Sequence, residues 1–221
     1  KGLAASLAPH APYSTSLELI KKITDACALT NKPSSIHNQE SKAENDFFMT
    51  KTGNYLRLYE TLNLPVTYFT ASGKSSLQTV LPTFHKAVNM LLVHNTFASQ
   101  EDLNIAQKSH PHLYWCLCPN ANLYIENTLP DTAILSGSGC TLTLGTDSLA
   151  SNSGLSVINE INCLLAYKPA IPLELLLKAA TYNGATFLGM ENTYGLLEKG
   201  KNPGINVISN EKGTYSVKVL A

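Results

Sequence analysis

The chain has little charge and no surplus of either sign. Sixteen basic residues face sixteen acidic ones, and together they make up only 14% of its 221 residues. No basic face is available to follow a nucleic-acid backbone or to settle on an anionic membrane, so a small neutral or zwitterionic ligand fits the balance better. No apolar run approaches the roughly 20 residues that span a bilayer. The first residues, Lys1-Gly2-Leu3, lack both Met and a signal-peptide pattern. Five cysteines, Cys27, Cys116, Cys118, Cys140 and Cys163, form an odd set without framework spacing, and Cys116 and Cys118 make C-x-C inside an apolar run, not C-x-x-C. They are expected to be reduced, packed thiols of a cytoplasmic protein. Internal repeats and low-complexity tracts are also missing. Gly73-Lys74-Ser75 resembles the end of a phosphate-binding loop, but Tyr68 stands where that motif needs glycine.

What is present is core material: 44% of the residues are hydrophobic, enough for one large domain or one with a small appendage. Short apolar runs at 3–9, 34–37, 90–94, 113–118 and 141–146 read as strands. Between and after them, helical periodicity runs through 17–27, 43–62, 76–86, 100–109, 157–166 and 173–188, with Ser14 or Ser16 as the first N-cap. Residues 205–208 and 215–219 read as two further short strands. Strands alternating with helices imply parallel β/α units. Five units are too few to close an eight-stranded barrel, and a flavodoxin-like open sheet fits the count as well.

The polar residues add information that periodicity lacks. The runs end in His10, His37, His94, Pro119-Asn120 and Asp147, so each releases a polar group at its C-terminal end, where α/β folds bind ligands. One such histidine is more often a core residue with a backbone partner; three histidines and an aspartate at equivalent places are poorly explained by chance. His37-Asn38-Gln39-Glu40 is H-x-x-E at a strand-to-loop transition, where the His can ligate a metal and the Glu can carry a proton. Asp147, in Gly145-Thr146-Asp147, is a hard oxygen ligand that can also accept a proton from water.

Five segments, Pro9-His10-Ala11-Pro12-Tyr13-Ser14, His37-Asn38-Gln39-Glu40-Ser41, Leu92-Val93-His94, Cys118-Pro119-Asn120-Ala121-Asn122-Leu123 and Leu144-Gly145-Thr146-Asp147-Ser148-Leu149-Ala150-Ser151-Asn152, resemble the amidohydrolase superfamily in order and spacing. The similar branch contains the cytosine-, guanine- and S-adenosylhomocysteine-type deaminases and the triazine chlorohydrolases. The resemblance implies strands four to eight of a metal-dependent hydrolase (β/α)8 barrel over residues 1–200, and part of a small β-sandwich over 201–221. It makes His37 and Asp147 ligands of one divalent metal, zinc or iron. It makes Glu40 the proton shuttle to the leaving nitrogen, His94 the residue that orients the attacking water, Asp147 its base and His10 a substrate contact.

The family's first strand carries an H-x-H pair that supplies two more ligands. His110-Pro111-His112 has the letters, but it lies at the N-terminal end of a strand, the end away from the site. The two missing ligands are therefore expected upstream, in a chain of about 400 residues, and two ligands out of four would hold a metal poorly. Relatives often read H-C-x-H where this chain has His94-Asn95-Thr96-Phe97, and K-L-G-x-G where it has Tyr124-Ile125-Glu126-Asn127. The substrate thus stays open. The expected activity is hydrolytic deamination of an aminated heterocycle or amidine. The alternatives are chlorohydrolase or cyclic-amide chemistry at the same site, and a non-catalytic binding protein with a degenerate site. A small-molecule substrate and self-association are expected, without a nucleic-acid or membrane partner. Ser136-Gly137-Ser138-Gly139 precedes a strand and is expected to be a flexible connection, and His85 is expected on a helix surface.

Overall fold

The computed structural model describes residues 5–220, which divide between Leu113 and Tyr114 into two compact α/β units.

In the first unit, α1 (Leu17–Leu29) begins at Ser16, whose hydroxyl accepts the Leu19 amide at 3.2 Å. Ile20, Thr24 and Cys27 recur at helical spacing and form its buried stripe, while Lys21–Asp25 and Lys22–Glu18 pair across single turns on the wet side. Strands β1 (Ser34–Asn38) and β2 (Met90–His94) run parallel, with Ser34 opposite Met90 and Asn38 opposite His94. Alternate residues are fully buried, including Ile36, Met90 and Leu92, and those between are half-buried. Helices α2 (Lys42–Thr50), α3 (Asn54–Thr61) and α4 (Ser76–Val80) connect them, and α5 (Gln100–Ser109) follows β2 behind a Ser99/Asp102 capping box. Phe47, Phe48 and Tyr59 form an aromatic core beside Tyr13, Tyr55 and Phe69, with the Phe47 and Phe69 rings stacked 4.3 Å apart.

The helical stretches expected over 43–62 are two helices, separated because Lys51 and Gly53 adopt φ of +54° and +91°; a side chain at 53 is disfavoured by that backbone. Three other expectations change here. The stretch 76–86 leaves α-helix after Val80, since Pro82 has no amide to donate and continues only as a 3₁₀ turn, Leu81–Thr83. His85 consequently sits on an exposed loop, not on a helix. Of the strand expected at 3–9, the first two residues lie outside the described ones, and 5–9 form irregular chain. That chain still lies along β1: Ser34 Oγ donates to Leu7 O at 2.9 Å and the His37 amide to His10 O at 3.0 Å.

The second unit pairs β3 (Leu113–Leu117) with β4 (Thr141–Leu144) in parallel, from Tyr114 opposite Thr141 to Leu117 opposite Leu144. Trp115, Leu117 and Leu142 are buried. Gly145 continues β4, its amide bonded to Leu117 O at 3.0 Å. A Cβ there would lie 3.0 Å from Cys116 Sγ and 3.3 Å from Cys118 Sγ, so the C-x-C pair packs tightly against the glycine and would have to shift for a side chain. Helices α6 (Pro119–Glu126) and α7 (Thr132–Gly137) lie between the strands. The segment expected to be a flexible connection is in fact the end of α7: Asp131 caps its start by accepting the Ala133 and Ile134 amides, and Gly139, at φ +71°, follows its end. After β4 come α8 (Val157–Tyr167), α9 (Leu173–Ala180) and α10 (Tyr182–Phe187); the single helix expected over 173–188 breaks at Thr181, φ −128° and ψ −85°. Strands β5 (Asn206–Glu211) and β6 (Thr214–Val219) form an antiparallel hairpin turned by Lys212 and Gly213, both at positive φ. Asn162 of α8 imitates a strand edge toward it, donating to Tyr215 O and accepting the Tyr215 amide, both at 2.8 Å.

Among the described residues no disulfide forms, four of the five cysteines are buried, and no helix is long and apolar enough to cross a membrane. The Met90 amide donates to His112 O at 2.9 Å, so His110-Pro111-His112 stands at the N-terminal start of β2, the end opposite His94. His110 is buried; its Nε2–H donates to His85 O and its Nδ1 accepts the His112 amide, each at 3.2 Å. The accepting Nδ1 requires the neutral ring, and burial, against the pull of the His85 carbonyl, holds the pKa below its ordinary 6.5. The unfolded chain therefore takes up this proton first, and stability falls as the pH drops below 6.5. In urea titrations across that range, His110→Gln should flatten the acid limb; an unchanged limb would assign the loss to other groups.

Candidate metal centre

The first unit gathers four of the residues singled out in the sequence. His10 follows the irregular chain beside β1 and is exposed; His37 and Glu40 stand at and just beyond the end of β1; His94 ends β2 and is buried. The His37 ring lies 5.0 Å from the His10 ring, edge to face, and stacks at 5.4 Å on that of His94. His94 Nε2 is 3.4 Å from Glu40 Oε1. His10 Nδ1 meets Ser14 Oγ at 2.6 Å, and burial, with the His37 ring second, holds the His10 pKa below its ordinary value.

The His37 ring is oriented by one bond. Its Nδ1 lies 2.7 Å from His10 O. A carbonyl oxygen can only accept, so Nδ1 carries the hydrogen and Nε2 keeps its lone pair, the arrangement by which metal-binding histidines are fixed in tautomer and direction. The β1 and β2 ends are also held to each other. Asn38 Nδ2 donates to Asn95 Oδ1 at 3.0 Å, the Asn95 amide to Asn38 O at 2.9 Å, and Asn95 Nδ2 to Leu92 O at 2.8 Å. Both polar atoms of the Asn95 side chain are thus engaged in this clamp.

Asp147 belongs to the second unit, beyond the end of β4. Its backbone is left-handed, φ +57°, which Asp tolerates better than most residues. Ser151 Oγ donates to its Oδ2 at 2.5 Å. Asn152 Nδ2 donates to Thr146 O and to Glu160 Oε1, both at 2.7 Å, and Glu160 Oε2 accepts the Asn120 amide at 3.0 Å. The buried Glu160, from the first turn of α8, thereby ties together the chain after β3 and the chain after β4. Sequence reasoning missed Ser151, Asn152 and Glu160 as supports; their signal was the Ser and Asn four and five places after Asp147.

Left-handed backbone recurs at Gln39, φ +47°, His94, +77°, Asn95, +58°, and Asp147, +57°, all just beyond or at strand ends. Such positions cost about 1–3 kcal/mol each and gather where a site dictates side-chain direction. Each unit by itself thus presents a donor of a type that divalent ions take: an imidazole on a ring fixed through Nδ1 in the first, and a carboxylate steadied through Oδ2 in the second.

The chain is 28% identical over 224 residues to an adenosine deaminase of Helicobacter pylori, covering 100% of this chain and 54% of that protein. It aligns with the crystal structure of Helicobacter pylori aminofutalosine deaminase at a TM-score of 0.79 and 25% identity, over 95% of this chain and 52% of that one. A zinc-bound adenosine deaminase from Xanthomonas campestris shares the fold at a TM-score of 0.70, 22% identity, 92% of this chain and 41% of that one. The chain spans about half the length of the curated relatives it matches. The amidohydrolase family description matches residues 1–219, and the chain belongs to that family.

Proposed function

We propose that the protein carrying this chain is a metal-dependent hydrolase of non-peptide C–N bonds that releases ammonia from an aminated heterocycle or amidine. The observation that carries this reading is the His37 ring, turned by His10 O so that Nε2 is left as a metal donor. His37 and Asp147 would hold one divalent ion, zinc for preference, as in the Xanthomonas campestris structure, with iron as the other choice. In this reading β1–β4, with the irregular chain at 5–9 in the place of the first strand, stand for strands four to eight of a (β/α)8 barrel over 1–200, and 201–221 belongs to an accessory β-sandwich. A cytoplasmic, self-associating enzyme fits the reduced cysteines and the unpaired sheet edges such a half-barrel would leave.

A divalent ion held there would supply a water nucleophile of lowered pKa. Asp147, its Oδ2 held by the Ser151 hydroxyl, would be the residue that accepts the proton of the attacking water. His94, held by stacking on His37, orients the attack. Glu40 carries the proton to the departing nitrogen, and His10, exposed and bonded to Ser14, contacts the substrate.

The runner-up chemistry is chlorohydrolysis or cyclic-amide opening at the same residues, as structures of an atrazine chlorohydrolase from Arthrobacter aurescens share the fold. The test is product release by the whole protein on aminated purines, pyrimidines and triazines, with chloride release and ring opening followed beside ammonia. Ammonia from any member supports deamination, and chloride or ring opening without ammonia selects the runner-up. No product from metal-replete protein would favour a non-catalytic binding role.

A further inference from the structure

We infer that Glu44 is a positioning residue for Glu40: its carboxylate gathers the two main-chain amides that set where the Glu40 side chain points. Glu44 stands in the first turn of α2 and is completely buried, and among the described residues no ion pair reaches it. Oε1 accepts the Gln39 amide at 3.0 Å and the Ser76 hydroxyl at 2.5 Å; Oε2 accepts the Glu40 amide at 3.3 Å. Burial pushes its carboxyl up to about 7, against the pull of those same bonds. A charged or half-charged group kept in such a place has a local task, and its partners name it.

The task is the turn between His37 and Glu40. Gln39 holds a left-handed φ of +47° and is completely buried. Every polar group it has is engaged. Its amide goes to Glu44, its carbonyl accepts Phe97 N at 3.1 Å, and its Nε2 donates to Asp102 Oδ2 at 3.0 Å and Asn45 Oδ1 at 3.2 Å. Asp102 is itself gripped by Ser75, Ser99 and Gln78. Gln39 is thus anchored at its side chain and carbonyl without Glu44. The Glu40 amide has its hydrogen-bond acceptor in Glu44, and one residue along, Glu40 Oε1 reaches His94 Nε2 at 3.4 Å. Two adjacent N–H groups converging on one carboxylate require a side chain with two acceptor oxygens and no donor. Glutamine fails that requirement, since its amide nitrogen would face one of the two N–H groups.

The proposal rests on Glu40 as the proton carrier, and its test separates the two ideas. Glu44→Gln, Glu40→Gln and the double variant are made in the whole protein, with kcat, KM, metal content and thermal midpoint measured for each. Glu44→Gln is expected to lower kcat about tenfold to a hundredfold through misplacement of Glu40, with KM and metal content unchanged. In the Glu40→Gln background the same change should cost nothing further, because the group it positions no longer transfers a proton. A residue that only stabilised the loop would give multiplying losses in the double variant, and that result overturns the inference. A wild-type rate in Glu44→Gln overturns it too. A wild-type rate in Glu40→Gln instead overturns the deaminase reading beneath it. Should Glu44→Gln fail to fold, Glu44→Asp, which keeps two acceptor oxygens but retracts them by one methylene, carries the same cycle with the same deciding outcomes.

Discussion

Asp147→Asn in the whole protein is expected to leave the fold intact and abolish turnover. Asparagine is nearly isosteric, and Ser151 Oγ, now 2.5 Å from Oδ2, can donate to an amide oxygen in the same place. The left-handed φ of +57° is no obstacle, since Asn adopts that region as readily as Asp. What the amide cannot do is accept a proton at neutral pH or offer a full negative charge to a cation. Loss of a general base alone is worth about 10²–10⁴-fold in rate, and weaker metal binding adds to it. Ammonia release, metal analysis and far-UV circular dichroism on both proteins check this. A variant that turns over at the wild-type rate would make Asp147 a structural cap held by Ser151.

Glu40→Gln should be as damaging to the rate and harmless to the metal. The Glu40 side chain is partly accessible and stands beside His94 Nε2 at 3.4 Å, where it can exchange a proton with substrate without being a ligand. Glutamine keeps the shape and removes the proton, for an expected loss of about 10²–10⁴-fold in kcat. Metal content should equal that of wild type, in contrast to Asp147→Asn. Loss of metal in Glu40→Gln would place Glu40 among the ligands and require a different proton carrier.

Much of this arrangement was legible in the letters, because the signals were local. Met90-Leu91-Leu92-Val93-His94 ended where the apolar run ended, and α5 kept its expected bounds because Ser99 and Asp102 form a capping box. The H-x-x-E spacing singled out His37 and Glu40, which stand at and just beyond the end of β1. Breaks inside helical periodicity were harder. Pro82 and Gly53 carry their own stop signals, but the apolar pattern runs on past both, and backbone φ decides. Helix α7 hid behind a Gly-Ser run although Asp131 is a regular cap.

The supports were the least legible part. Glu44, Asp102 and Glu160 each stand in the first turn of a helix, where an acid ordinarily faces water and the helix dipole. All three are buried and hold the loops beyond the strands instead. No spacing rule distinguishes a solvated first-turn acid from one folded under a loop. Nor can a sequence say which imidazole nitrogen of His37 carries its hydrogen; that follows only from His10 O at 2.7 Å.

The most direct test of the central claim is metal removal and return. The whole protein is stripped with a chelator, assayed for ammonia release on a substrate it turns over, and titrated with zinc or ferrous ion while activity and bound metal are followed together. Activity should fall to background on stripping and return in step with about one ion per chain, while His37→Ala, which removes the donor nitrogen, should regain neither metal nor rate. Full turnover by metal-free protein would contradict the account at its root.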